Sequence, residues 1–99
     1  MTAEAKGTAE LADFDAVFSA LAHQSRRTIL AVLQASGGQM TSGAIAGWFE
    51  HSWPTTSQHL RVLQDAGLVT VELRGREHAY QLERDRLLGV TGSWLSHFG

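Results

Sequence analysis

The chain has 99 residues and a mass of 10.8 kDa, which suits one domain rather than several. It contains no cysteine, which excludes a disulfide scaffold, a thiolate-held zinc or iron–sulfur centre and a thiol redox switch. Its formal charge of −2 argues against nucleic-acid binding by bulk attraction, so any such contact must come from how the charge is distributed.

Residues 1–8 are small and polar and read as a disordered tail, leaving residues 9–99 as the folded domain. Leu11, Phe14, Phe18 and Leu21 then recur at helical spacing with Val17 beside them, predicting a first helix. Residues 24–35 predict a second, carrying Ile29, Leu30, Val32 and Leu33, and Ser36-Gly37-Gly38 ends it. Thr41 or Ser42 can cap a short third helix reaching Trp48, with Ile45 and Phe49 turned inward. After the turn at Glu50-His51-Ser52, Ser52 is a suitable N-cap and Pro54 falls in the first turn of a fourth helix, which runs to Ala66 and stops at Gly67. The period then switches to two. Residues 68–73 and 78–82 read as the strands of a hairpin about Arg74-Gly75-Arg76. From about Arg84, the residues Leu87, Leu88, Thr91, Trp94, Leu95 and Phe98 trace the apolar face of a last helix.

A short helix, a tight turn and a Ser-capped helix form a helix-turn-helix, and a hairpin directly after it is a wing. The expected fold is therefore mainly α with a β-hairpin wing, in the order α-α-α-α-β-β-α. On a helical wheel Trp53, Thr56, Leu60 and Leu63 share the inner side of the fourth helix. Pro54, Thr55, Gln58, Arg61 and Val62 point away, with Ser57 and His59 at the boundary. Hydroxyl, amide and guanidinium groups on one exposed face are what base reading in a major groove requires. All seven positive side chains after residue 22 are Arg, the residue suited to bidentate phosphate or guanine contacts.

Leu, Ile, Val and Phe make up 24 of the 99 residues, enough for a core but a small one. Phe14, Phe18, Trp94, Leu95 and Phe98 give two apolar faces too large for the chain to hide alone, which points to a second copy. Trp53 reads as a core or staple residue, and Arg26 and Arg27 as a solvated face or phosphate contacts. Five scattered histidines show no helical ligand spacing. No nucleophile–base pair, phosphate-binding Gly loop or paired carboxylates stand at a useful spacing, so an enzyme is not expected. No apolar run approaches the ~18 residues of a membrane span, and no signal pattern opens the chain, so a cytoplasmic protein without a membrane partner is expected.

The segment from Ala20 to Leu30, which contains Arg26-Arg27-Thr28-Ile29-Leu30, resembles the opening of the ArsR/SmtB bacterial transcriptional repressors. Residues 52–63, with their Ser57-x-His59-Leu60-x-x-Leu63 core, resemble that family's recognition helix. Asp65-Ala66-Gly67-Leu68-Val69 and the stretch from Arg74 to Leu82 resemble its helix-to-strand junction and wing. The resemblance spans roughly residues 14–98 and is nearest to the metal-independent, SdpR-like branch.

It implies a winged helix-turn-helix homodimer, paired through its first and last helices, that binds a near-palindromic operator in double-stranded DNA as a repressor. Such a protein is associated with the nucleoid when bound. Pro54, Thr55, Ser57, Gln58, His59 and Arg61 then take recognition-helix positions, and Arg74 and Arg76 wing positions. Metal-sensing members carry thiolates at the start of the third helix, where Thr41 and Gly43 stand here. Asp85 is followed by Arg86 and Leu87, and His97 stands alone, so the second family metal site is missing too. Neither cofactor nor metal is expected. A ligand- or metal-responsive sensor of the same fold, and a winged helix used for protein interaction, remain alternatives, with an unknown small-molecule or protein effector possible.

Overall fold

The computed structural model describes the backbone of residues 2–99 and the side chains of residues 10–99. Helix α1 runs Thr2–Leu21, passing through the segment expected as a tail, where Ala and Glu favour helix; Met1 of that tail lies outside the described residues. Helix α2 is Gln24–Ala35, with His23 as its N-cap: the ring Nδ1 accepts from the Ser25 N–H at 3.1 Å. Gly37 and Gly38 hold φ values of +86° and +95°, and the Gly38 N–H donates back to the Leu33 carbonyl at 2.7 Å, closing the helix.

The next segment departs from expectation. Gln39–Thr41 forms a short strand, β1, antiparallel to the second strand of the wing, with Met40 opposite Tyr80. Three residues carry too little alternation to be read as a strand, and the pairing comes from a segment 40 residues further on. Thr41 then caps α3, accepting from the Ala44 N–H at 3.2 Å. Helix α3 spans only Ser42–Ala46; Gly47 caps it, so Trp48 lies in the turn rather than in the helix as expected.

Helix α4, Trp53–Asp65, begins with Pro54 in its first turn, where no backbone donor is lost. Ser52 is its N-cap by backbone conformation, but its hydroxyl meets the Thr55 hydroxyl at 3.3 Å instead of capping. Gly67, at φ +77°, turns the chain out of α4. Strands β2 (Val69–Arg74) and β3 (Glu77–Leu82) pair antiparallel about Gly75, whose φ of +63° makes the tight turn. The sheet order is β1-β3-β2. Helix α5, Arg84–Leu95, ends in a 3-10 turn over Ser96–Phe98.

Val17 and Ala20 of α1, Ile29, Leu30 and Leu33 of α2, Ile45 of α3, and Leu60 and Leu63 of α4 form the core with Leu68, Val69, Tyr80 and Leu82. The apolar positions of α1 thus divide. Val17 and Ala20 face the core, whereas Leu11 is exposed and Phe14 and Phe18 are only half-buried. Helix α5 buries no residue fully: Leu87 and Val90 pack against the core, and the rest of its apolar side lies outside.

Candidate nucleic-acid interface

The inner side of α4 is anchored by Leu60 and Leu63 and by Thr56, which is fully buried. Its hydroxyl donates to the Ser52 carbonyl at 3.3 Å, so the contact with His51 at 3.0 Å has the His51 Nδ1–H as donor. Pro54, Thr55, Gln58 and Arg61 are exposed on the other side, and Ser57 and His59 lie half-buried between, as the wheel predicts. Two positions differ from it. Val62 leans into the edge of the core, and Trp53 is 40% exposed because the inner side of the first turn runs past the end of the core. The Gln58 and Arg61 side chains make no hydrogen bond to other described residues, leaving an amide and a guanidinium free to meet a ligand.

The two wing arginines stand differently. Arg74 Nε lies 3.4 Å from Glu72 Oε1. The Gln39 amide, oriented with its oxygen toward the guanidinium, accepts from it at 2.7 and 3.1 Å. Arg74 is therefore tied to the root of the wing and partly neutralised there. Arg76 follows Gly75 in the turn, exposed and without an ion pair among the described residues.

Arg26 is half-buried and Arg27 exposed, and both guanidinium groups reach back to the end of α1. Arg26 donates to the Ala20 carbonyl at 2.7 Å and to the Ser19 carbonyl at 3.1 Å, and Arg27 donates to Leu21 at 2.7 Å. Together they satisfy the orphan carbonyls that end α1 and set cations against the negative pole of its dipole. Arg26 also approaches His59 Nδ1 at 3.3 Å, tying α2 to α4.

Linear spacing hid a cluster that the fold assembles. His23 lies 4.4 Å from His59 ring to ring, and His51 lies 5.8 Å from it. His51 also stacks on Phe49 at 4.8 Å, and its Nε2 is buried without a hydrogen-bond partner. Burial, followed by the charges of His23, Arg26 and His51, holds the His59 imidazole below its ordinary pKa. Among the described residues no group of three His, Cys, Asp or Glu is placed to hold a metal ion. No helix among them is long and apolar enough to cross a membrane.

Phe14, Phe18, Trp94 and Phe98 come together where α1 meets α5. Phe18 and Trp94 pack edge to face at 5.3 Å, and Trp94 and Phe98 lie 4.9 Å apart. Leu11, Phe14, Trp94, His97 and Phe98 line a shallow depression of about 310 Å³. Leu95 and Phe98 are largely exposed in the single chain, and Trp94 partly so.

The helix-turn-helix domain family matches residues 21–72 of the chain. The transcriptional repressor SdpR of Bacillus subtilis is 35% identical over 82 residues, covering 83% of this chain and 88% of the repressor. An ArsR-like transcriptional regulator from Rhodococcus superposes with a TM-score of 0.75 at 28% identity, over 90% of this chain and 81% of that one. The homodimeric winged helix-turn-helix DNA-binding domain of Mb0332 from Mycobacterium bovis, a possible ArsR-family regulator, gives a TM-score of 0.75 at 26% identity. That match covers 93% of this chain and 84% of the domain.

Proposed function

The chain belongs to the ArsR family of winged helix-turn-helix transcriptional regulators, DNA-binding proteins rather than enzymes, and we propose that it works as a homodimeric repressor of a near-palindromic operator. Residues 9–99 form a single unit for DNA binding and dimerisation. The two copies pair through α1 and α5, bringing Phe14, Phe18, Trp94, Leu95 and Phe98 against their symmetry mates. Each α4 enters a major groove, the two about one helical turn of DNA apart. Thr55, Gln58 and Arg61 read base edges; Pro54, Ser57 and the N-terminal turn of α4 fix the helix against the backbone, as phosphate contacts set register. His59 positions α4 through Arg26, and Arg76, with a weaker share from Arg74, reaches the flanking backbone or minor groove. In the cell the bound repressor sits on the nucleoid, and it binds without a metal or cofactor.

The observation that carries this reading is the division of α4: an inner side locked by Thr56, Leu60 and Leu63, and an outer side whose Gln58 and Arg61 are uncommitted. Selection of bound duplexes from fragments of the source genome, followed by footprinting, tests it directly. The expected result is a protected two-fold sequence spanning two successive major grooves. Gln58→Ala and Arg61→Ala should each weaken that duplex by about 1–3 kcal/mol and leave random DNA nearly unchanged. Equal losses on both duplexes, or no sequence preference at low salt, reject the reading.

A further inference from the structure

Arg86 joins the three elements that the proposed function needs to act together. It stands on α5, its Nε donates to the Ala66 carbonyl just beyond α4 at 2.8 Å, and its Nη2 donates to Asp13 Oδ1 on α1 at 3.2 Å. The stem of the side chain lies against Gly67, where a Cβ would fall 2.6 Å from Nε. The pairing is chemically apt: a cation meets an orphan carbonyl at the negative end of α4, and a carboxylate completes it. Among the described residues it is the only side-chain hydrogen bond from α5 to the segment that ends α4.

The remaining contacts of α5 are the half-buried Leu87 and Val90 on the core, Trp94 packed against Phe18 of α1, and an exposed hydrogen bond from Ser93 to Glu10 of α1 at 3.2 Å; none of these reaches the end of α4 through a polar group. Apolar contact is non-directional and tolerates sliding, whereas two hydrogen bonds from one planar group fix both a distance and an angle. We infer that Arg86 is a positioning residue for paired operator recognition. It sets the angle of α4 against the α1/α5 pair, and so decides whether two recognition helices meet two half-sites at once. The inference rests on the reading that α1 and α5 pair the subunits while α4 enters the groove. Arg86 itself touches no DNA in this account; its effect lies in the gain from binding two half-sites rather than one.

The test uses a duplex recovered by the full-length protein from a random-sequence pool and the same duplex with one half-site scrambled. Arg86→Gln is expected to bind the intact duplex about tenfold more weakly, the scale of losing one charge-assisted hydrogen bond. Binding to the single half-site should stay within about twofold, and the sedimentation profile should remain that of the wild type. Asp13→Ala, a milder change on a half-exposed side chain, should shift the intact duplex several-fold in the same direction. Should Arg86→Gln unfold, Asp13→Ala decides the matter alone. Equal weakening of both duplexes, which a general loss of positive charge or of stability produces, overturns the inference, as does no weakening of either. A wild-type protein that gains nothing from the second half-site removes the dimeric reading first, and the role of Arg86 with it.

Discussion

Replacing Phe98 by alanine separates association from folding. In the single chain Phe98 is 73% exposed and ends the 3-10 turn after α5, so the monomer fold gains little from it. Of the ~200 Å² a phenylalanine can bury, the exposed part is about 140 Å². At ~25 cal/mol/Å² its burial against a second copy contributes ~3.5 kcal/mol, and two-fold symmetry applies that twice, for a ceiling of ~7 kcal/mol. Ordering of the terminal turn and incomplete coverage take back roughly half, since interface area converts poorly to affinity. The expected loss is therefore about 3.5 kcal/mol per dimer, a Kd higher by a few hundredfold. Sedimentation equilibrium over a wide protein concentration range reads this, with thermal melting at low concentration as the folding control. Leu73→Ala is the matched comparison: Leu73 is 63% exposed but sits on the wing, and its loss should leave association unchanged. If Phe98→Ala sediments like the wild type, or Leu73→Ala dissociates equally, the α1/α5 face is not what joins the subunits.

Arg76→Ala should reduce the slope of log K against log salt by about one, whereas Arg74→Ala should change it by less because Glu72 already partly neutralises that side chain; identical slope changes would contradict the distinction. For His59, whose folded-state pKa lies below the ordinary 6.5, the unfolded chain takes up a proton on acidification before the folded chain does. Stability should therefore be undiminished above that range and fall as pH drops below it toward the folded-state value. Urea midpoints should show a shallower acid decline in His59→Gln, and an identical decline in both proteins would discount the cluster. Gly67→Ala should lose about 1–3 kcal/mol in urea unfolding, because φ is +77° there and the new Cβ meets Arg86 Nε; a neutral outcome would mean that the turn relaxes freely.

The elements that local periodicity defines are legible in the amino-acid sequence. Helix α2 and its Gly-Gly stop, Pro54 in the first turn of α4, and the Gly75 hairpin each follow from residues within a few positions of one another. Strand β1 did not follow, because Gln39-Met40-Thr41 becomes a strand only by pairing with Ala79, Tyr80 and Gln81. Gly47 shortens α3, whereas the helical spacing of the inward Ile45 and Phe49 carries the pattern past it to Trp48. Trp53 misled in the same way: a wheel reports direction, not how far the core extends along the axis.

The polar residues of the candidate site show the same limit more sharply. The outward positions of α4 could be assigned from sequence because only the helix period is needed to find them. The partners of Arg26, His59 and Arg86 could not, since the contacts cross 33 residues between Arg26 and His59 and 73 between Asp13 and Arg86. Arg26 looked like surface charge, yet it caps α1 and touches α4. The consequence is that α4 is tied at two points outside its apolar contacts, to α2 through His59 and to α5 through the carbonyl at its end. Leu60 and Leu63 hold the helix against the body and leave its tilt soft. The polar ties set that tilt, so substitutions at the half-buried Arg26 and Arg86, which never approach a base, should weaken operator binding more than loss of an exposed charge that lies off α4 and the wing would.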